Sequence, residues 1–168
     1  MKESENANAR AKFLELSENK MFALQKVKIT KVGGLAVNYT MVEQKENETY
    51  VNKHRIQATN MPHADLMQLF VKLQPIVATV FNLSDWKPLF VNGITIGGKN
   101  ESEGAIITAN FMTSAGQETT IATPRLKFHV SAYGFEDELN KTIADIENEV
   151  FKYLFDGKTA DLDTFNVD

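Results

Sequence analysis

From Phe22 onward, apolar and polar residues alternate in short runs, and twice such a set of runs gives way to helical spacing. Val27 and Ile29 alternate with Lys26, Lys28 and Thr30, the period-two pattern of a half-buried strand. Gly33-Gly34 supplies a turn, and Leu35, Val37, Tyr39 and Met41 define one face of a second strand. Lys45-Glu-Asn-Glu48 reads as a polar hairpin tip before a weaker third strand over Thr49 to Gln57. Asn60-Met-Pro-His-Ala-Asp65 then predicts a helix start, with Asn60 as cap, Pro62 in the first turn and Asp65 at the positive end of the dipole. Leu66, Leu69, Phe70, Leu73, Val77, Val80 and Phe81 share a helical face, and Pro75 predicts a kink near Leu73–Gln74.

The second half repeats the order. Leu89, Val91, Ile94 and Ile96 form a strand with an irregularity at Asn92-Gly93, and residues 97–104 turn. A fifth strand alternates from Ala105 to Met112, and a sixth runs from Glu118 to Thr123 before Pro124 stops it. Residues 125–131 extend that strand or add a short edge strand. A last helix shows Leu139, Ile143, Ile146, Val150, Tyr153 and Leu154 on one face, with Gly157 placed to end it. Strand-strand-strand-helix, twice over, predicts an α+β fold: a six-stranded, mainly antiparallel sheet covered by two helices. The domain plan is an N-terminal arm or short helix over 1–20, one α+β domain over 21–157, and an acidic flexible tail over 158–168.

Composition narrows the role without fixing it. The 168 residues suit one domain with a real core, and an apolar share of 43% is ordinary for a globular protein. A net charge of −4 argues against a generally basic surface but leaves room for a local one. The lack of cysteine removes disulfides, thiolate catalysis and cysteine zinc sites, and suits a reducing cytoplasm. No run reaches membrane-spanning length and the first residues carry no signal-peptide core, so no membrane partner is expected. The Asn-x-Ser/Thr triplets at Asn38, Asn47, Asn82 and Asn100 are then accidents of composition.

Candidate chemistry is sparse. Gly93 to Lys99 has the Gly-x4-Gly-Lys spacing of a phosphate-binding loop, but Asn100 stands where a hydroxyl is needed and the spacer is a strand. It reads as a turn. His54, His63 and His129 match no metal spacing, and Glu136, Asp137 and Glu138 are accounted for by a helix start. No catalytic residue, metal site or cofactor is therefore assigned, and an enzyme is the minor reading.

Cations cluster more than the net charge suggests. Lys26, Lys28 and Lys31 fall on the first strand, Lys53, His54 and Arg55 on the third, and Arg125, Lys127 and His129 after the sixth. Tyr39 and Tyr50 lie close to them in sequence, as do Phe128 and Tyr133. A sheet face mixing such groups could hold a single strand of nucleic acid, with phosphates on the cations and bases on the rings. The competing reading is a solvated face, or lysines that blunt a sheet edge. In the tail, Leu162 and Phe165 are two apolar anchors in an acidic segment able to dock on a partner; plain disorder is the competing reading.

Met61-Pro-His-Ala-Asp-Leu66, Gly93-Ile-Thr-Ile96, Gly104-Ala-Ile-Ile-Thr-Ala109 and Ile121-Ala-Thr-Pro124 together resemble an uncharacterised family of small tailed-phage and prophage proteins. The resemblance spans roughly 24–158, is carried by short structural motifs, and implies a bacterial cytoplasm and a place among replication or recombination genes. It also implies a tail like the Gln-x-x-Leu-Phe peptide that docks on sliding clamps. Residues 160–165 depart from that peptide, lacking the Gln and separating Leu162 from Phe165.

The role expected is that of a non-enzymatic phage accessory protein of DNA metabolism. It would bind single-stranded DNA through Lys26, Lys28, Lys53, Arg55, Arg125, Lys127, Tyr39 and Tyr50, and recruit a replication or recombination partner through Leu162 and Phe165. The alternative is a phage protein of counter-defence type that binds a host factor or a small signalling molecule, for which the Trp86 loop is the only hint. A homo-oligomer is compatible with either, through an uncapped sheet edge.

Overall fold

The computed structural model describes residues 22–84, 88–99, 102–130 and 133–160, with backbone alone at 44 and 45. Within them lie seven strands and two helices, an α+β fold as the doubled pattern predicts. The strands are β1 (Phe22–Ile29), β2 (Leu35–Lys45), β3 (Glu48–Ala58), β4 (Leu89–Gly97), β5 (Gly104–Met112), β6 (Glu118–Ala122) and the two-residue β7 (Leu126–Lys127). The helices are α1 (Ala64–Val80) and α2 (Glu136–Phe155). The chain divides into two compact units, 1–63 with 147–168 and 64–146, so the halves of α2 serve different units.

The first unit is an antiparallel meander in which β2 pairs with β1 on one side and β3 on the other. Its hairpin tip closes on Glu46 and Asn47, both at positive φ (51° and 69°), the geometry that matches the right-handed twist of the flanking strands. At the other end Gly34 packs so closely under the Ala58 carbonyl that a Cβ there would strike it. One face of the meander is a core: Phe22, Leu24, Val27, Leu35, Val37 and Tyr39 are all buried. The second half of α2 supplies Val150, Phe151 and Tyr153 to this core. Phe22 meets Phe151 edge-on with ring centroids 5.3 Å apart, and Phe155 stands edge-on to both Phe22 and Tyr39. Such edge-to-face pairs add to the burial of apolar area.

Register in β1 is not regular. A bulge between Leu24 and Lys26 leaves Gln25 without a partner across β2 and returns Val27 to the buried face. The three-residue step between the buried Leu24 and Val27 is its mark in the sequence.

In the second unit β5 pairs antiparallel with β4, β6 and β7, and α1 contributes Leu66, Leu69, Phe70, Leu73, Ile76 and Val77 to the core. The irregularity at Asn92-Gly93 is present as a register shift between Val91 and Gly93. The short β7 takes the edge-strand option for residues after 124.

The expected start of α1 needs correction. The helix begins at Ala64, so Asn60 is not its cap and Pro62 is not in its first turn. Instead Pro62 bridges Thr159, the Met61 carbonyl accepts the Ala160 N–H (2.9 Å), and the Asn60 carbonyl accepts the Tyr153 hydroxyl (2.6 Å). These bonds tie the backbone of 60–62 to the end of α2, so that it does not enter the first turn of α1. Pro75 lies inside the helix, which runs on to Val80; its carbonyl accepts the Thr79 hydroxyl at 2.9 Å, and the neighbouring Gln74 is buried with its amide donating to the Leu89 carbonyl.

The one-sided burial of β2 makes a sharp contrast testable. Leu35→Ala should lose about 2–5 kcal/mol of unfolding free energy, because a fully buried side chain is truncated. Ala36→Ser, one residue on and on the opposite face, should stay within about 0.5 kcal/mol of the parent. Urea unfolding of the two variants measures both; equal losses would contradict the register.

Candidate nucleic-acid interface

The register of β1–β3 sorts the predicted binding residues by face. Lys26 is opposite Asn38, which is opposite Arg55, so these three form one row across the meander. Lys28, Ala36 and Gln57 form a second row, and Ala23, Thr40 and Lys53 a third. Each row stands on the face away from Val27, Val37 and Tyr39, since successive side chains of a strand point to opposite sides. Lys26, Lys28, Lys53 and Arg55 are therefore gathered on one face, and all are exposed. Lys31, also exposed, is not on the first strand as expected, since β1 ends at Ile29; it lies in the β1–β2 turn at the end of that face.

The same rule removes the aromatic half of the expected surface. Tyr39 lies on the covered face with 4% of its surface exposed, its hydroxyl pKa raised by burial. Tyr50, opposite Glu43, shares the Tyr39 face, and its hydroxyl donates to the Glu48 carboxylate at 2.6 Å. That bond first, and burial second, raises the pKa of Tyr50. His54 is on this side too, stacked on Tyr39 with centroids 4.8 Å apart and planes 16° from parallel. Cations and rings are thus segregated. Bases cannot stack on Tyr39 or Tyr50 while phosphates rest on Lys26 and Arg55.

Arg125 and Lys127 belong to the second unit. Lys127 stands on β7 opposite Gly104, and the Arg125 guanidinium lies over Gly97, 3.3 Å from where a Cβ would be. Neither belongs to β1–β3. Leu162, Phe165, Trp86 and residues 1–20 lie outside the described residues.

The cation face has a simple electrostatic character. Its strand positions, from Ala23 through Val42 to Gln57, carry no carboxylate, because Glu43 and Glu48 fall on the other side. Among the described residues none of Lys26, Lys28, Lys53 and Arg55 makes an ion pair, whereas Lys152 and Lys158 of the same unit both pair with Glu149, at 3.4 and 2.9 Å. Mutual repulsion costs little: two charges about 10 Å apart in water repel by roughly 0.4 kcal/mol. The face can therefore stay charged without a partner and still offer several cations to a polyanion. Between the cations lie Asn38 and Gln57, neutral groups able to hydrogen-bond a phosphate or sugar oxygen.

Other chemistry has no comparable assembly. Among the described residues no group of three or more His, Cys, Asp or Glu could hold a metal ion. Gly97 closes β4, Gly98 turns at φ 91°, and Lys99 accepts the Ser102 N–H, which makes this stretch a turn before a strand. No helix among the described residues is long and apolar enough to cross a membrane. Comparison with protein-family models, with curated proteins and with solved structures finds no match for this chain.

The end of α2 in this unit is also strained in charge. Asp156 follows the last helical residue, where the dipole is negative, and its carboxyl pKa is raised by burial, with Lys152 opposing the shift. A carboxyl whose pKa is higher folded than unfolded costs nothing while both forms are protonated, and its cost grows as pH rises through the ordinary range. Asp156→Asn should therefore match the parent in melting temperature near about pH 3 and exceed it near about pH 7. A gap that is constant across that window, or that opens toward acid, would contradict the assignment.

Proposed function

We propose that the β1–β3 face binds the backbone of single-stranded DNA, as part of a non-enzymatic accessory role in phage DNA metabolism. The observation that carries the proposal is the collection of Lys26, Lys28, Lys53 and Arg55 on one exposed, carboxylate-free sheet face in adjacent rows. Charge drives such binding through release of counterions from the phosphates. Among the described residues of this unit the face is built by three strands, which favours a flexible strand that can lie across it. Because Tyr39 and Tyr50 face the other way, the contacts are phosphate contacts, and the binding is indifferent to base sequence. The phage setting rests on the resemblance of Met61–Leu66, Gly93–Ile96, Gly104–Ala109 and Ile121–Pro124. Recruitment of a replication or recombination partner through Leu162 and Phe165 belongs to the same proposal.

Fluorescence anisotropy with a labelled oligothymidylate tests the reading. With four phosphates engaged, log K should fall against log salt with a slope of about −3. Lys26→Gln and Lys53→Gln should each weaken binding by about fivefold near 0.1 M salt and make the slope shallower by about 0.7. Tyr50→Ala and His54→Ala, on the opposite side, should change affinity by less than about twofold. No binding, binding insensitive to salt, or a larger loss from the ring variants would overturn the proposal.

A further inference from the structure

The first unit also fixes where the chain goes after its last helix. Gly157, at φ 65°, reverses the backbone, and the Lys158 N–H returns to the Lys152 carbonyl at 3.2 Å. Lys158 is held by Glu149, Thr159 bridges Pro62, and Ala160 is bonded to Met61. The segment that follows therefore starts three residues beyond the end of β3, where Met61 lies against Gly33 of the β1–β2 turn. That is the Lys28 and Lys31 end of the cation face.

Residues 161–168 carry Asp161, Asp163 and Asp168 and no cation. Eight extended residues reach roughly 26 Å, whereas Lys53 is five strand residues, roughly 17 Å, from the end of β3. Among the described residues β3 is an outer strand, paired on its β2 side alone and exposed over most of its length. A second copy is a poor occupant of that edge, since antiparallel self-pairing centred on β3 sets Lys53 against its own counterpart. An acidic strand of this chain's own is a good one.

We propose that Asp161–Asp168 folds back along β3 and the cation face, and so competes with nucleic acid for Lys28, Lys53 and Arg55. The competition rests on the DNA-binding reading; the docking itself does not. Occupation of the face by DNA would release the segment and present Leu162 and Phe165, and by linkage a partner on those residues would favour DNA binding to the same extent.

The test uses the full chain beside a variant with Asp161→Asn, Asp163→Asn and Asp168→Asn. Without DNA, amide spectra of the two should differ at Lys26–Lys31 and Lys53–Ala58, independently of protein concentration. With oligothymidylate at low salt, the variant should bind about three- to tenfold more tightly, and the gain should fade as salt rises. Amide differences without DNA binding by either chain would uphold docking and sink the DNA reading. Identical amide spectra, or differences that grow with protein concentration, would overturn the proposal, as would equal affinities in two chains that both bind.

Discussion

Period-two alternation in β1, β2 and β3 is the constraint on which the candidate interface depends. It sends Leu24, Val27, Val37 and Tyr39 toward one side, where the second half of α2 covers them, and leaves the intervening residues facing water. A one-residue slip in β1 would bury Lys26 or Lys28 and expose Val27, and one in β2 would bury Asn38 and expose Val37, so the register that secures the core also fixes the charged face. Folding and the proposed binding are linked through the same geometry. The bulge at Gln25 shows how closely it is maintained, since without that extra residue Lys26 and Lys28 would point inward.

Charge is distributed in keeping with this division of faces. The protein is acidic as a whole, yet the outward positions of β1–β3, from Ala23 through Val42 to Gln57, hold cations, neutral polar groups and a few apolar side chains, and no carboxylate. Carboxylates of the same strands sit on the other side or, as Glu46 does, at the hairpin tip. Net charge therefore describes the partners of such a molecule poorly. What a polyanion meets is the local potential of a few groups on a low-dielectric sheet, falling off over about a Debye length.

Much of the fold was legible from the residues, for identifiable reasons. Strands β2 and β5 carry strict alternation over long runs, the hairpin tip at Glu46-Asn47 carries turn chemistry, and Gly157 marks a helix end. The start of α1 was misplaced because Asn60 and Pro62 are good helix-start residues. Their backbone is claimed instead by Tyr153, Thr159 and Ala160, partners about a hundred residues away that local pattern cannot show. The candidate face was half legible. Alternation alone separates Lys53 and Arg55 from His54, and places Tyr39 with Val37 in the core; grouping residues by nearness in sequence obscured that signal. The pairing of Lys26 with Asn38 and Arg55 needed the three-strand register.

The central claim is that the three-stranded meander has one face for packing and another for a polyanion. Amide chemical shifts of the labelled full chain, followed during addition of an oligothymidylate, locate the contact surface directly. The account predicts changes concentrated at Lys26, Lys28, Asn38, Lys53 and Arg55. Changes centred instead on Tyr50, His54 and Phe155, on the opposite side, would contradict it.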